Sequence, residues 1–587
     1  MDTLFLEIEI STKDEETEIY TTTSSFVALF VHKFLDSPEN IQIKFVCTKL
    51  DNSGGKIKLR SDKLHVQLTD EDIICKEAAL TRAIQDLRLP VYAKDGNTFI
   101  SGMCAVCREI VARQSSTEKM YLLGFKQSCL LAPAEASIWT RFCELDMPSA
   151  LNDLLYKYQN GQIIDEIPTA LVRFERHMNE PVRMHNIYKV AREKAKQEPE
   201  IINGCKVMVD CSIPKEKLAI EHRFAEGIAF TIADLVLYPC IMLIFDSCPG
   251  IGQFFPLVKT WIEETEMEKN CLSKLSQIFL FQTMHVVNFV ENMKIPDCDE
   301  TSLYKKDPKR YKPRNRIFTL QSEVSAIIAR LEVLDINFNS DNDITYEHNQ
   351  IDWDAIEPNH EKGSALPQNR LVRKRQQLEN IANAVISLAK SGDRIVDFCS
   401  GTGHLGILLA LQLPECTIIL IENKAISLER AKKRANELKL KNMRFYQCNI
   451  DYFEGNFDLG TSLHACGTAT DIVIQQCLRS RAKFVCCPCC YGALQPMPHI
   501  KYPLSQRFRD VIDDYSYLYI AHTADQSHEL GRTNCKPEIT RQGQHCMDII
   551  DTDRKLQAEE IGYRVVLTRL KPEQCTPKNH LLVGHLP

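Results

Sequence analysis

The clearest periodicity of apolar and polar positions lies between residues 394 and 451. Short apolar runs rich in β-branched residues alternate there with longer segments in which leucine and alanine recur at helical spacing. This alternation predicts strand–helix–strand units and therefore a parallel sheet covered by helices. The predicted strands are residues 394–398, 417–422 and 443–448, and the predicted helices begin near Leu405 and Ala425.

An acidic residue stands at or just after the end of each of these strands. Asp397 closes the first strand, Glu422 closes the second, and Asp451 follows the third. The turn after Asp397 contains Gly401 and Gly403, which lack a Cβ and would let the backbone approach a ligand. The N–H groups that open the next helix would face the same ligand. The carboxyl edge of the sheet is therefore the predicted ligand site.

The glycine spacing leaves two cofactors open. Gly401-x-Gly403-x-x-Gly406 fits a dinucleotide-binding turn. A carboxylate at Asp397, however, suits a cationic ligand and would repel a pyrophosphate. The segment from Asp397 to Gly403 resembles the S-adenosylmethionine (SAM) motif of class I methyltransferases, and SAM carries an amino group and a sulfonium.

This resemblance implies a set of contacts to SAM. The acid of the first strand would lie near the amino group, the acid of the second at the ribose, and the acid after the third at the adenine. Two late apolar runs, residues 563–568 and 580–584, predict the antiparallel closing strands of a class I methyltransferase, which a standard dinucleotide fold lacks. The predicted cofactor-binding residues are Asp397, Ser400, Gly401, Gly403, Glu422 and Asp451.

The fourth and fifth predicted strands carry the candidate catalytic groups. His464 lies near the end of the fourth strand and could act as a general base, or equally as a structural imidazole bonded to the backbone. The Asn/Asp-Pro-Pro-aromatic motif that amino-methylating enzymes usually place here is missing. Cys489, after Pro488 and before Tyr491, could attack a pyrimidine ring as a thiolate while the tyrosine stacks on the base.

The fifth strand also raises the question of a metal, because four of the five residues from Cys486 to Cys490 are cysteines. Neighbouring residues on a strand point to opposite faces, so all four cannot easily converge on one ion. Two of them could join His464 or Cys466 across the adjacent strand. Buried thiols are the simpler interpretation, and the sequence prediction is for no metal site.

The first third of the chain shows a different pattern. Alternating strands, an apolar helix over residues 26–35, a hairpin turn at Asp95-Gly96 and a proline at Pro90 resemble the thioredoxin-like half of glutathione transferases, where that proline is cis. Helical segments follow from about residue 130 to 290. Within them Thr231 and Asp234 have the spacing of a capping box, and glutathione transferase C-terminal domains carry a very similar buried box.

A glutathione-binding activity is disfavoured by the same comparison. The candidate catalytic residues after the first strand are Ser24 and Ser25, which serve equally well as a helix N-cap. Ser101-Gly102 replaces the acid–serine pair that holds the glutamyl group in that family. Cys104 and Cys107 are spaced as a redox pair, but they follow the last strand, so two buried thiols are expected. We therefore expect an interaction module.

Composition and charge set the broader class. The chain has 587 residues and a net charge of −7, so a nucleic-acid partner would have to meet a local basic patch. One such patch is residues 304–316, where two tyrosines are available for stacking, and a solvated interdomain segment is the alternative interpretation there. A second basic cluster is residues 370–375. No signal peptide or membrane span is predicted, and the 24 cysteines indicate reduced thiols. The expected location is the cytoplasm.

Over nearly its whole length the sequence resembles the glutathione S-transferase C-terminal domain-containing protein family. The matching motifs are Phe230–Leu235, Asp397–His404, Leu463–Gly467 and Cys575–Asn579. The predicted fold is α/β: a thioredoxin-like domain (1–115), a helical domain (120–290), a basic then acidic linker (295–364) and a seven-stranded, Rossmann-like methyltransferase domain (365–587).

The predicted function is SAM-dependent methyl transfer to an unknown acceptor, RNA or protein, with protein partners bound through the front module and no membrane association. A scaffold with a degenerate methyltransferase fold and a glutathione transferase are the alternatives.

Overall fold

A computed structural model of the chain divides into two compact units, Met1–Arg310 and Tyr311–Pro587. We describe each unit by itself. The structure describes residues 2–13, 16–51, 54–60, 73–74, 80–114, 120–183, 187–195, 213–218, 220–248, 250–279, 289–298, 301–304, 319–338, 351, 353, 368–497, 499–526 and 536–587. The basic segment 305–316 and most of the acidic segment 335–361 lie outside the described residues.

The first unit contains a mixed sheet centred on its first strand. The strands are β1 (Asp2–Lys13), β2 (Glu16–Thr21), β3 (Ile41–Cys47), β4 (Ile57–Leu59), β5 (Ile73–Ile74), β6 (Val91–Lys94) and β7 (Thr98–Ser101). Strand β1 pairs with β3 in parallel and with β6 in antiparallel orientation, and β7 pairs antiparallel with β6. The second half of β1, from Ile8 to Lys13, pairs antiparallel with β2, and β2 pairs antiparallel with β4. Strand β5 pairs in parallel with β3. The hairpin predicted at Asp95-Gly96 is confirmed, and the Leu89–Pro90 bond is cis.

Helices make up most of the rest of the first unit. They are α1 (Thr23–Phe34), α2 (Arg82–Gln85), α3 (Met103–Ala112), α4 (Ile138–Arg141), a π-helical turn (Phe142–Asp146), α5 (Met147–Gln159), α6 (Thr169–Asn179), α7 (Ile187–Ala195), α8 (Ile232–Ser247), α9 (Pro256–Lys269) and α10 (Cys271–Ile278). Two further short strands, β8 (Ile164–Glu166) and β9 (Phe289–Lys294), pair in parallel.

Helix α8 is the centre of the helical part. Nearly all of its residues are buried in the hydrophobic core, including Tyr238 and Leu237. The predicted capping box of Thr231 and Asp234 is confirmed at its N-terminus. Asp234 is fully buried and also accepts hydrogen bonds from the Ala225 N–H and from Trp261 Nε1, at 2.7 and 2.9 Å. One carboxylate thus joins the cap, the preceding loop and helix α9.

The second unit contains a sheet with the connectivity of a doubly wound fold. Its described strands are β10 (Arg394–Phe398), β11 (Thr417–Ile421), β12 (Met443–Gln447), β13 (Leu459–Cys466), β14 (Lys483–Cys489), β15 (Arg564–Arg569) and β16 (His580–His585). Their order is β15-β16-β14-β13-β10-β11-β12. Strands β10 to β14 are parallel, and β16 runs antiparallel to both β14 and β15. The predicted parallel strands and antiparallel closing pair are confirmed.

The helices of the second unit cover this sheet. They are α11 (Gln321–Leu331), α12 (Gln368–Leu388), α13 (His404–Gln412), α14 (Ala425–Glu437), α15 (Thr468–Arg479), α16 (Gln506–Arg509), α17 (Asp514–Ala524) and α18 (Pro537–Glu559). Helices α12, α13 and α14 share one hydrophobic cluster with the strands. Helix α11, which falls within the predicted linker, buries Val324 and Leu331 in a second cluster with α17 and α18. Among the described helices, none is long and apolar enough to cross a membrane.

Candidate cofactor site

Asp397 lies at the carboxyl end of β10 and holds the start of the following helix. It is 2% exposed, and its Oδ2 accepts a hydrogen bond from the Gly406 N–H at 2.9 Å. Burial, with a smaller contribution from Glu422, raises the pKa of Asp397 to about 7, against the opposing effects of the Gly406 N–H and the Lys374 ammonium. A buried carboxyl with a pKa near neutrality gains from any cation that comes close.

Glu422 follows β11, the neighbour of β10, and holds the turn itself. Its Oε2 accepts from the Gly401 N–H at 2.9 Å, and its Oε1 accepts from the Lys424 N–H at 3.0 Å. Each carboxylate oxygen has a second lone pair, so these bonds leave acceptor capacity for the hydroxyls of a ribose. The acid predicted to bind a ligand thus also fixes the backbone conformation of the turn.

The turn between Asp397 and helix α13 contains three residues in the left-handed region: Cys399 (φ 54), Gly401 (φ 56) and Gly403 (φ 73). A Cβ on Gly401 would meet nothing within 4 Å, whereas one on Gly403 would lie 2.7 Å from the Ala431 Cβ. Gly403 is therefore required by packing of the turn on α14, and Gly401 borders open space. The Ser400 Oγ is a buried polar atom without a hydrogen-bond partner among the described residues.

Asp451 is the least constrained of the predicted cofactor residues. It lies in a short 3₁₀ turn, Ile450–Tyr452, just after β12, at the same sheet edge as Asp397 and Glu422. Its side chain is 44% exposed, and its Oδ1 lies 3.7 Å from His499 Nε2. The structure therefore brings Asp397 and Glu422 onto the glycine turn and leaves Asp451 half-exposed after the next strand.

His464 lies near the end of β13 with a positive φ of 67. Its Nε2 is 2.9 Å from Gln377 Oε1, and the amide of Gln377 is oriented by its own donation to the Cys575 carbonyl at 2.9 Å. The amide oxygen therefore accepts from Nε2–H, which leaves Nδ1 as the nitrogen able to take a proton. Burial, aided by Lys374, lowers the pKa of His464 to about 4. The imidazole is thus neutral at neutral pH and weakly basic.

Cys489 lies at the end of β14 and is buried. Its Sγ is 3.4 Å from Cys466 Sγ, the residue opposite it on β13. Hydrogen bonding to Cys466 and Cys490, together with burial, raises the pKa of the Cys489 thiol far above its usual value. These surroundings do not favour the thiolate that the predicted attack on a pyrimidine requires.

Two site residues on helix α12 were missed by the sequence patterns. Lys374 belongs to the predicted basic cluster 370–375, yet it is close enough to Asp397 for their charges to interact, and burial lowers its pKa. Gln377, one turn further along α12, is 8% exposed and orients His464. The helical spacing of these two residues is the signal that could have identified them, because it puts both on one face.

Of the two serines considered for glutathione chemistry, Ser24 and Ser25, the second has a structural role. Ser25 is 1% exposed, and its Oγ accepts from the Glu7 N–H at 3.0 Å. The N-cap of α1 is Thr22, whose side chain accepts from the Ser25 N–H, so the serine is not the cap. Cys104 and Cys107 are both buried, as predicted, and burial raises their thiol pKa values well above the usual range.

Comparison with known proteins agrees with this geometry. A family model described as a methyltransferase domain matches residues 373–497, which begin within α12 and extend past the end of β14. Among solved structures, the methyltransferase domain of bacterial CtHen1-C is 15% identical, with 36% of this chain and 98% of that chain covered and a TM-score of 0.24.

The full-length relatives identify the family. A glutathione S-transferase C-terminal domain-containing protein homolog of Drosophila pseudoobscura pseudoobscura is 62% identical, with 100% of this chain and 99% of the relative covered. The glutathione S-transferase C-terminal domain-containing protein of Homo sapiens is 33% identical, with 95% and 94% covered. The chain belongs to the glutathione S-transferase C-terminal domain-containing protein family.

Proposed function

We propose that the second unit is a SAM-dependent methyltransferase. The observation that carries the proposal is the convergence of Asp397 and Glu422 on the glycine turn at the carboxyl edge of the sheet. The antiparallel strand β16 between β14 and β15 supports the choice of SAM over a dinucleotide, and so does the match to a methyltransferase domain.

The residues of the turn fit the chemistry of SAM. Asp397 provides a buried carboxyl for the cationic amino group, Glu422 provides acceptors for the ribose hydroxyls, and the Ser400 hydroxyl provides an unused hydrogen-bonding group. Gly401 and Gly403 allow close approach of the backbone, and Asp451 is proposed for the adenine edge. SAM, when bound, supplies a methyl group on a sulfonium, which is transferred by in-line displacement and depends mainly on positioning.

His464 is the proposed base for an acceptor that must lose a proton. Gln377 fixes its orientation, and its Nδ1 is the nitrogen left to accept. A pKa of about 4 makes the imidazole a weak base. Such a base suits an acceptor that is already neutral and nucleophilic, or an acceptor that loses its proton only after methyl transfer has begun. We propose RNA or protein as the acceptor class.

The first unit is proposed to be a glutathione-transferase-like interaction module that binds protein partners. Support comes from the strand order β3-β1-β6-β7, the cis proline before β6, and the buried capping box of α8. The structural role of Ser25 argues against glutathione chemistry. We also propose a cytoplasmic location, which is supported by the absence of disulfides among the described cysteines.

Titration calorimetry of the full chain with SAM tests the cofactor assignment. We expect binding to the parent protein and none to Gly401→Arg, because the new side chain would fill the open space beside the turn. Gly392→Arg is the matched control: Gly392 also has a positive φ and open space, and it lies at the opposite end of β10. Equal SAM binding by the two variants, or none by the parent, would overturn the proposal.

A scaffold without turnover is the second candidate, and one observation favours it. Neither His464 nor Cys489 has a pKa that suits a strong base or nucleophile at neutral pH. Transfer of labelled methyl groups from SAM to total RNA or total protein distinguishes the two. Labelling that is lost in Gly401→Arg supports the enzyme, whereas SAM binding without labelling supports the scaffold.

A further inference from the structure

Three cysteine thiols meet at the carboxyl ends of β13 and β14. The Sγ atoms of Cys489 and Cys490 each lie 3.4 Å from the Sγ of Cys466, and all three sulfur atoms lie within 4.8 Å of one another. Cys466 and Cys490 are exposed and Cys489 is buried, so the cluster is accessible from solvent on one side. No other group of this kind occurs among the residues that the structure describes.

An unusual backbone brings these thiols together. Cys489 and Cys490 are adjacent and should point to opposite faces of an extended strand. Cys490 instead has φ 52 and ψ 53, in the left-handed region, which turns its side chain back towards Cys466. On the neighbouring strand, the register shifts between Leu463 and Cys466, and His464 there has φ 67. One strained residue, Cys490, therefore belongs to the cluster and another, His464, lies two residues before Cys466, and such strain is common at functional sites.

The charge next to the cluster is complementary to thiolates. Lys578 is mostly buried, is held by the Ala524 carbonyl at 2.6 Å and Asp525 at 3.3 Å, and interacts electrostatically with Cys489 and Cys490. Three thiolates around a divalent cation carry a net charge of −1, which a nearby ammonium would stabilise.

We propose that Cys466, Cys489 and Cys490 form a three-thiolate site for a thiophilic divalent cation, with Zn²⁺ as the ion that best fits. Tetrahedral Zn–S bonds of about 2.3 Å place sulfur atoms about 3.8 Å apart. The two pairs at 3.4 Å therefore need to separate by only a few tenths of an ångström, and the third pair lies within 4.8 Å. Three protein ligands leave a fourth position for water or a substrate atom, as in catalytic zinc sites. Binding would release the three thiol protons to solvent.

The site lies outside the residues proposed to hold SAM and does not depend on them. Cys486 and Cys487, the other cysteines of β14, are buried elsewhere, and Cys487 Sγ faces the Lys578 carbonyl. The expectation from strand alternation thus holds for these two residues and fails for Cys489 and Cys490. A disulfide between Cys466 and Cys489 is the competing use of the same atoms, since they are paired across adjacent strands.

Metal content of the full chain tests the site. Protein purified with zinc in the medium and then dialysed against metal-free buffer should retain about one equivalent of Zn²⁺ by mass spectrometry, and X-ray absorption should show a sulfur shell at about 2.3 Å. Cys466→Ser and Cys490→Ser should each lower the retained zinc at least about tenfold. Both positions are exposed, so circular dichroism should report an unchanged fold.

Cys416→Ser is the matched control. Cys416 is buried at the start of β11, and its Sγ donates to the Lys390 carbonyl, a bond that a hydroxyl can reproduce. This variant should retain zinc as the parent does. The proposal fails if the parent binds no zinc, if Cys466→Ser retains as much as Cys416→Ser, or if thiol titration of the purified parent shows Cys466 in a disulfide.

Discussion

Glu422 Oε2 accepts a hydrogen bond from the Gly401 N–H at 2.9 Å. The acid at the end of β11 therefore fixes the turn that follows the neighbouring strand β10. Asp397 does the same for the start of helix α13 through the Gly406 N–H. The two acids expected to recognise a cofactor therefore also shape the backbone that would receive it. Binding to a turn organised in advance loses less conformational entropy than binding to a flexible one.

The two turn glycines should differ in what they tolerate. Gly401→Ala should cost about 1 kcal/mol in unfolding free energy, because only backbone strain is added at a positive φ. Gly403→Ala should cost about 2–4 kcal/mol, because its Cβ would also lie 2.7 Å from the Ala431 Cβ and 2.8 Å from a methyl carbon of Leu420. Urea denaturation measures both. Equal losses in the two variants would contradict the packing of the turn on α14.

SAM affinity should depend on pH through Asp397. The pKa of this carboxyl is raised above its unfolded value to about 7 by burial, so the stability linked to its protonation is present below the unfolded pKa and is lost as pH rises through about 7. A cationic ligand binds the ionised form better, so calorimetry should show an affinity that increases about fivefold from pH 6 to pH 7, as the ionised fraction does. Asp397→Asn should bind more weakly, and its affinity should change little over that range. A parent affinity independent of pH would contradict the assignment.

Arg554 should be among the most sensitive positions of the second unit. It is 1% exposed and pairs with Asp471 at 2.6 Å and Asp551 at 2.8 Å, both fully buried. Arg554→Leu would leave two buried carboxylates without their cation, so we expect a loss of about 3–5 kcal/mol in unfolding free energy. Arg223→Leu removes the half-exposed pair with Glu264 and should cost less than about 1 kcal/mol. Chemical denaturation that shows similar losses for the two variants would contradict the buried network.

The capping box of α8 should show an unequal contribution from its two members. Asp234→Ala removes the acceptor of four donors, namely the N–H groups of Ala225 and Thr231, the Thr231 hydroxyl and the indole of Trp261, and should cost about 3–5 kcal/mol. Thr231→Ala should cost about 1 kcal/mol, as at other N-caps. Tryptophan fluorescence during denaturation measures both losses, because Trp139 and Trp261 lie in this unit. A larger loss for Thr231→Ala than for Asp234→Ala would show that the cap, and not the three-way junction, is the important contact.

The sequence predicted the sheet edge and missed the contacts that organise it. The spacing of apolar residues and the β-branched composition of the short runs predicted β10, β11 and β12, because buried strands with acidic ends differ from the amphipathic helices between them. Lys374 was assigned only to a basic cluster at the start of a helix, since a charge in the sequence does not reveal that this helix places the lysine near Asp397. Helices α17 and α18 were not predicted, because both bury polar groups such as Asp551 that satisfy one another only in three dimensions.

The thiol cluster shows where a rule of local geometry stops applying. Alternation along a strand predicts that adjacent cysteines diverge, and it is correct for Cys486 and Cys487. At Cys490 the backbone leaves the extended region, so the rule no longer applies, and its thiol meets Cys466. Nothing in the local composition marks that change, because cysteine has no preference for a positive φ.

The position of β16 has a consequence for biosynthesis. Strand β15 is made before β16, yet its described pairing is to β16 alone, which in turn pairs with β14. While the chain is emerging from the ribosome, β15 has no partner until residues 580–585 have been exposed. The second unit therefore completes its sheet late in translation, and a nascent chain stalled between β15 and β16 would present an open strand edge to chaperones.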